Sequence, residues 1–134
     1  MSYGYNGYGS LPTGDPAKGF GLDGHYTLGV LHTNTGIVTP GSKTKIPLAE
    51  SEVVNPSDMM AIGENFAGDI SLNRKTNFAA SQLAFSRHQG LDNVVFCDGH
   101  VESPTLQFLF ADTSDAALSR WNRDHLPHRE KLAP

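Results

Sequence analysis

The chain holds a single cysteine, Cys97, among its 134 residues. An internal disulfide is thereby excluded, and cysteine usage leaves the redox compartment open. Cys97 sits in an apolar run and reads as a buried, inert thiol. No apolar stretch approaches the roughly 20 residues that a membrane-crossing helix needs. No signal peptide is visible at Met1, so the chain as written is expected to be soluble. Basic residues are outnumbered, ten Lys and Arg against fourteen Asp and Glu. With a net charge of −4 and no basic stripe, nucleic acid is not an expected partner. Recurrent catalytic motifs are missing too: there is no G-x-S-x-G elbow, no phosphate loop and no carboxylate pair that stands out. No repeats and no composition shifts divide the chain, so residues 1–134 read as one domain.

Glycine and proline are plentiful, 14 and 8 residues, while apolar residues make up 38%. A domain of this size can bury roughly 65–70% of its unfolded surface. The balance predicts an α+β fold, mostly antiparallel sheet with short helices and long loops.

Residues 1–24 interleave Tyr3, Tyr5 and Tyr8 with Gly and Asn. Asn6-Gly7 signals a two-residue hairpin in a glycine-rich surface segment. The three tyrosines also offer an aromatic surface of the kind that binds sugars. "HYTLGVLH" and "TGIVTPG" each have room for a short strand. In "NPSDMMAIGE" a turn at Pro56-Ser57-Asp58 precedes a strand from Met59 to Gly63. Residues 64–86 read as a loop, with a short strand or helical turn near Ala80–Phe85.

The clearest segment is "RHQGLDNVVFCDGHVE", residues 87–102. "NVVFC" has strand composition, "DG" is a two-residue turn signal, and "HVES" returns. Placing Asp98 and Gly99 in the turn pairs Cys97 with His100, Phe96 with Val101 and Val95 with Glu102. Val94, Phe96 and Val101 then share one face, and the first strand, apolar on both sides, is expected to be central and covered on both. Further on, Ser114 is placed to cap a helix from Asp115 to Trp121, and Trp121 is expected to dock the charged tail 122–134.

Histidine and aspartate invite a metal hypothesis. Asp98 and His100 flank one turn, and His88 or His125 is available as a third zinc ligand. Extended geometry argues against including His88. Were residues 83–88 and 93–97 a hairpin, it would lie beside Asn93, more than about 15 Å from Asp98 at 3.3 Å per residue. His125 and His128 form an H-x-x-H pair interrupted by Leu-Pro. Asp112, Asp115 and Asp124 offer oxygen ligands for calcium, with solvated caps as the plainer reading.

His88, nine residues, then Asp98-Gly99 is a spacing that resembles the His-x9-Asp-Gly signature of a family of prepilin-like proteins. "RHQGLDNVVFCDGHVE" resembles that family's central block, "NPSDMMAIGE" its preceding strand, "SYGYNGYG" its opening and "RWNRDHLPH" the tails of some members. The resemblance implies a type IV pilin-like or type II secretion pseudopilin-like head, non-enzymatic and lying outside the cytoplasm, in the periplasm or at the cell surface. It further implies a full-length protein anchored in the inner membrane by an apolar N-terminal helix that this chain lacks. The implied partners are other pseudopilin or secretion-system subunits. No catalytic residues and no cofactor follow from it. His88, Asp98, Gly99 and His100 are its motif residues, with structural or binding roles.

Overall fold

The structure is a computed structural model that describes residues 2–10, 19–32, 38–66, 74 and 87–132. The expected element near Ala80–Phe85 lies outside the described residues. Six strands are described: β1 (Ser2–Tyr5), β2 (His25–His32), β3 (Val38–Ile46), β4 (Met60–Asn65), β5 (Val94–Phe96) and β6 (Val101–Glu102). β2 and β3 form a two-stranded antiparallel ribbon with a register shift between Leu28 and Val30. The other four make an antiparallel sheet in the order β1-β4-β5-β6. Three short helical segments follow: a π-helical turn, α1 (Gln107–Ala111), then α2 (Asp115–Ser119) and a 3-10 turn, Arg129–Lys131. A mixed fold dominated by antiparallel strands is what the composition predicted.

The inner face of the sheet is chosen by side-chain alternation. Met60, Val94 and Phe96 point inward and are buried, and they pack with Leu109, Phe110 and Trp121. Trp121 is fully buried and its indole N–H donates to the Leu109 carbonyl at 3.2 Å, so it belongs to the core itself. The Ser114 hydroxyl accepts from the Ala117 N–H at 3.3 Å and starts α2 as predicted; the helix ends at Ser119, before Trp121.

The outer face is different. The register sets Tyr5 opposite Ile62, Ile62 opposite Val95 and Val95 opposite Val101. One apolar row therefore crosses all four strands. Ile62 is 40% exposed and Val101 61%, with Tyr3 on the same side of β1 at 60%. β5 is central, as expected, but its second face is open along this row.

Two local expectations are corrected. Asn6-Gly7 makes no hairpin, because β1 pairs with β4, 55 or more residues on. Asn6 is fully buried instead. Its side-chain amide donates to the carbonyls of Met60 (2.8 Å) and Trp121 (3.0 Å) and accepts from the Gly9 N–H (3.1 Å). In the described part of the glycine-rich opening, Gly7, Gly9, Gly19 and Gly21 are likewise packed backbone to backbone rather than spread over the surface. A Cβ at Gly21 would collide with the main chain of Gly7 and Gly9. Asn122 repeats the device from the other end, accepting from the Ser10 N–H at 2.9 Å and donating to the Leu126 carbonyl at 2.7 Å. β4 also runs to Asn65, into the region expected to be loop.

Candidate functional site

The hairpin that carries Asp98, Gly99 and His100 has a three-residue loop, Cys97-Asp98-Gly99. The Phe96 N–H donates to the His100 carbonyl and the Gly99 N–H to the Phe96 carbonyl, each at 2.9 Å. Gly99 sits at φ +92°. This is a type I turn closed by a left-handed glycine, the second common way to use Asp-Gly in a hairpin. The pairing is thus one residue off the predicted one: Val95 faces Val101 and Val94 faces Glu102. Val101 consequently lies on the outer face, away from Val94 and Phe96, while His100 stacks on the Phe96 ring at 4.5 Å between centroids.

Asp98 holds the turn from inside. Its Oδ1 accepts from the His100 N–H at 3.1 Å and lies 2.5 Å from His100 Nδ1. The far ring nitrogen, Nε2, is 3.1 Å from Glu102 Oε1. Glu102 Oε2 in turn accepts from Arg120 at 2.8 Å, and Arg120 Nε lies 2.8 Å from Asp58 Oδ1. His125 Nε2 is 3.6 Å from the other Asp58 oxygen. Arg120 also covers the faces of Phe96 and Phe108, 5.3 and 5.4 Å from their centroids. A continuous chain of alternating charge therefore runs from the turn through the tail to the Pro56–Asp58 segment. Bonding to Asp98, then to Glu102, pushes the His100 pKa up. The bond to His100 pushes Asp98 down, and His100 with Arg120 pushes Glu102 down. Cys97 is half-buried rather than buried, and desolvation with nearby Asp98 raises its thiol pKa, which favours the unreactive form.

His88 lies in a separate place. Residues Arg87–Gly90 form a single tight turn in which His88 and Gln89 both adopt positive φ, 45° and 58°. His88 Nε2 is 3.1 Å from Glu64 Oε1. Glu64, on β4, is 2% exposed and its neighbour Asp92 is 0% exposed. Asp92 Oδ1 accepts from the Glu64 N–H at 3.0 Å. Glu64 Oε2 and Asp92 Oδ2 are buried with no hydrogen-bond partner. Desolvation pushes the Asp92 pKa up to about 7, with the Glu64 charge adding to it and N–H donors from Glu64 and Asn93 opposing it. Sequence reasoning passed over both acids. The available signal was a carboxylate inside the apolar strand "MAIGEN" and another just before "NVVF".

The structure brings Asp98 and His100 together and sends the other metal candidates to separate partners. His88 goes to Glu64 and His125 to Asp58. His128 stacks on Phe20 at 3.7 Å and lies 2.7 Å from Asp124 and 2.9 Å from Glu130, so the H-x-x-H pair does not converge. Asp112 caps the Ser114 N–H at 2.7 Å and Asp115 pairs with Arg129 at 2.5 Å. Among the described residues no group of three His, Cys, Asp or Glu side chains is disposed to hold a metal ion, and no helix is long and apolar enough to cross a membrane. Of the three tyrosines, Tyr3 is 60% exposed and Tyr5 40%, and the Tyr5 hydroxyl donates to the Leu22 carbonyl. Comparison with protein-family models, with curated proteins and with solved structures finds no match to this chain.

Proposed function

We propose that this chain is the non-enzymatic head region of a prepilin-like, type II secretion pseudopilin-like protein. In this reading it works outside the cytoplasm, in secretion or in assembly of a surface filament, with other pseudopilin or secretion-system subunits as partners. One observation carries the reading. The sequence blocks behind the resemblance are far apart in the chain, yet they become adjacent strands of one sheet: the opening is β1, the Pro-Ser-Asp block leads into β4, and the His88–Glu102 block supplies β5 and β6. The tail block joins them, because Arg120 bridges Asp58 and Glu102.

His88, Asp98, Gly99 and His100 then act as architecture. They fix the turn and the chain entering β5, and they leave the apolar row on the outer face free for assembly. A row of this kind on one face is the pattern of a surface that packs against another element. The full-length protein, in this proposal, is anchored in the inner membrane, and the row packs against its anchor helix. The test is genetic. Deleting the locus in the native organism should abolish a secreted protein or surface filaments. Wild-type protein should restore the phenotype, and Ile62→Glu with Val101→Glu should not, although the variant folds with an unchanged circular dichroism spectrum. Full rescue by that variant, or no secretion or filament phenotype on deletion, would refute the proposal.

A further inference from the structure

The Glu64–Asp92 pair is unexplained by the proposed function. Two carboxyl groups, each more than nine-tenths buried, lie on adjoining segments and each keeps one oxygen without a hydrogen-bond partner. Buried unpaired acceptors are costly, and two such groups side by side are more so when both are charged. One proton shared between these two oxygens would satisfy both. If Asp92 is the neutral acid, its Oδ2 becomes a donor and Glu64 Oε2 becomes the acceptor.

We propose that the folded protein carries Asp92 as a carboxylic acid donating to Glu64, and that losing this proton loosens the Arg87–Gly90 turn. Among the described residues the titratable groups around Asp92 are few. Glu64 faces it from β4, and His88 reaches Glu64 from the turn. Tyr3 on β1 stands opposite Glu64 in the register. Asn93 contributes a backbone N–H to the carboxyl group, and Pro104 contributes a carbonyl that accepts the Asp92 N–H at 2.9 Å. The Arg74 guanidinium is directed to the carbonyls of Leu109 and Asp112. Ionised Asp92 has to draw in water, and among the described residues the turn just before it is placed to yield. That turn holds two side-chain-bearing residues at positive φ, a conformation that costs free energy at each. Its closing contacts are the Leu91 N–H to the His88 carbonyl, 3.1 Å, and the bridge from Leu91 to Thr105.

The sign follows from linkage. Unfolded, Asp92 loses its proton near 3.8; folded, it keeps it to about 7. Between these limits the native state holds the extra proton, so this group's contribution to stability falls as pH rises and levels off above 7. Asp92→Asn preserves the shape and supplies a permanent donor. The ratio of its folding constant to that of wild type should rise about tenfold per pH unit between pH 4 and 7 and then stay flat. By carbon-detected NMR the Asp92 carboxyl should titrate near 7 in the wild type. Glu64→Gln should lower that midpoint, which keeps the test informative if Asp92→Asn folds poorly. The Leu91 amide should lose at least tenfold in exchange protection above pH 7, beyond the base-catalysed trend, in wild type but not in Asp92→Asn. A pH-independent ratio, Asp92 titrating below pH 5, or unchanged Leu91 protection would overturn the proposal. So would calcium or zinc raising the melting temperature of wild type and not of Asp92→Asn, because a cation would then fill the place given to the proton.

Discussion

Replacing Asn6 with Ala should be among the most damaging single changes in this chain. Asn6 is wholly buried and makes three hydrogen bonds to main-chain groups of three segments: Met60 at the start of β4, Trp121 after α2, and Gly9. Alanine removes all three. It leaves two carbonyls and one N–H short of a partner in a site closed to water. Each loss costs about 1 kcal/mol net, and up to about 3 kcal/mol where the remaining group stays unsatisfied. A total of roughly 3 kcal/mol or more follows, a large part of the 5–15 kcal/mol typical of folded domains. The buried residue Trp121 is the only tryptophan and reports unfolding directly. With a urea m-value on the order of 1.5 kcal/mol/M, the midpoint should fall by roughly 2 M or more. Asn6→Asp should do no better, since a buried carboxylate would face two carbonyl oxygens. Val54→Ala, at an exposed position, serves as the neutral control. A loss below about 1 kcal/mol for Asn6→Ala would show that the opening segment is not held by this side chain, and the clamp would have to be abandoned.

Other expectations follow from the hairpin and its charge chain. Gly99→Ala should cost about 1–2 kcal/mol by thermal unfolding, purely from positive φ, because a Cβ there meets nothing within 4 Å; Gly99→Asn should cost less. A change near zero would mean the turn is not closed by a left-handed residue. Arg120→Met should cost about 1–3 kcal/mol, and a double-mutant cycle with Glu102→Gln should show coupling that shrinks in high salt. Additive single changes would dissolve the bridge. The Asp98–His100–Glu102 group should stabilise most between the ordinary carboxylate and imidazole pKa values. His100, raised in the fold, contributes below about 6.5 and loses this as pH climbs through its folded value. Asp98 and Glu102, lowered in the fold, contribute above about 4 and lose it in acid. His100→Gln should flatten that window in a pH series of urea midpoints, and a His100 titration at or below 6.5 by NMR would contradict the assignment.

Local chemistry was readable in the sequence and tertiary choices were not. Ser114 announced its helix because an N-cap needs only neighbours in the chain. "NVVFCDGHVE" announced a hairpin because β-branched strands and Asp-Gly are local signals. Its register escaped because Asp-Gly suits two loops, and the choice rests on His100 stacking upon Phe96 while Asp98 caps the His100 N–H. Asn6-Gly7 misled for a related reason. The same asparagine that favours a tight turn is also a three-bond plug, and only the placement of Met60 and Trp121 selects the second use. Glu64 and Asp92 were invisible as a pair, since 28 residues separate them and only the pairing of β4 with β5 brings them together.

The most direct test of the functional reading is where the protein resides. Tagged at the chain's C-terminal end and expressed from its own locus, it should fractionate with the cell envelope and be digested by protease added to intact spheroplasts. A protein found in the cytosolic fraction and shielded from that protease would contradict the assignment to an extracytoplasmic assembly.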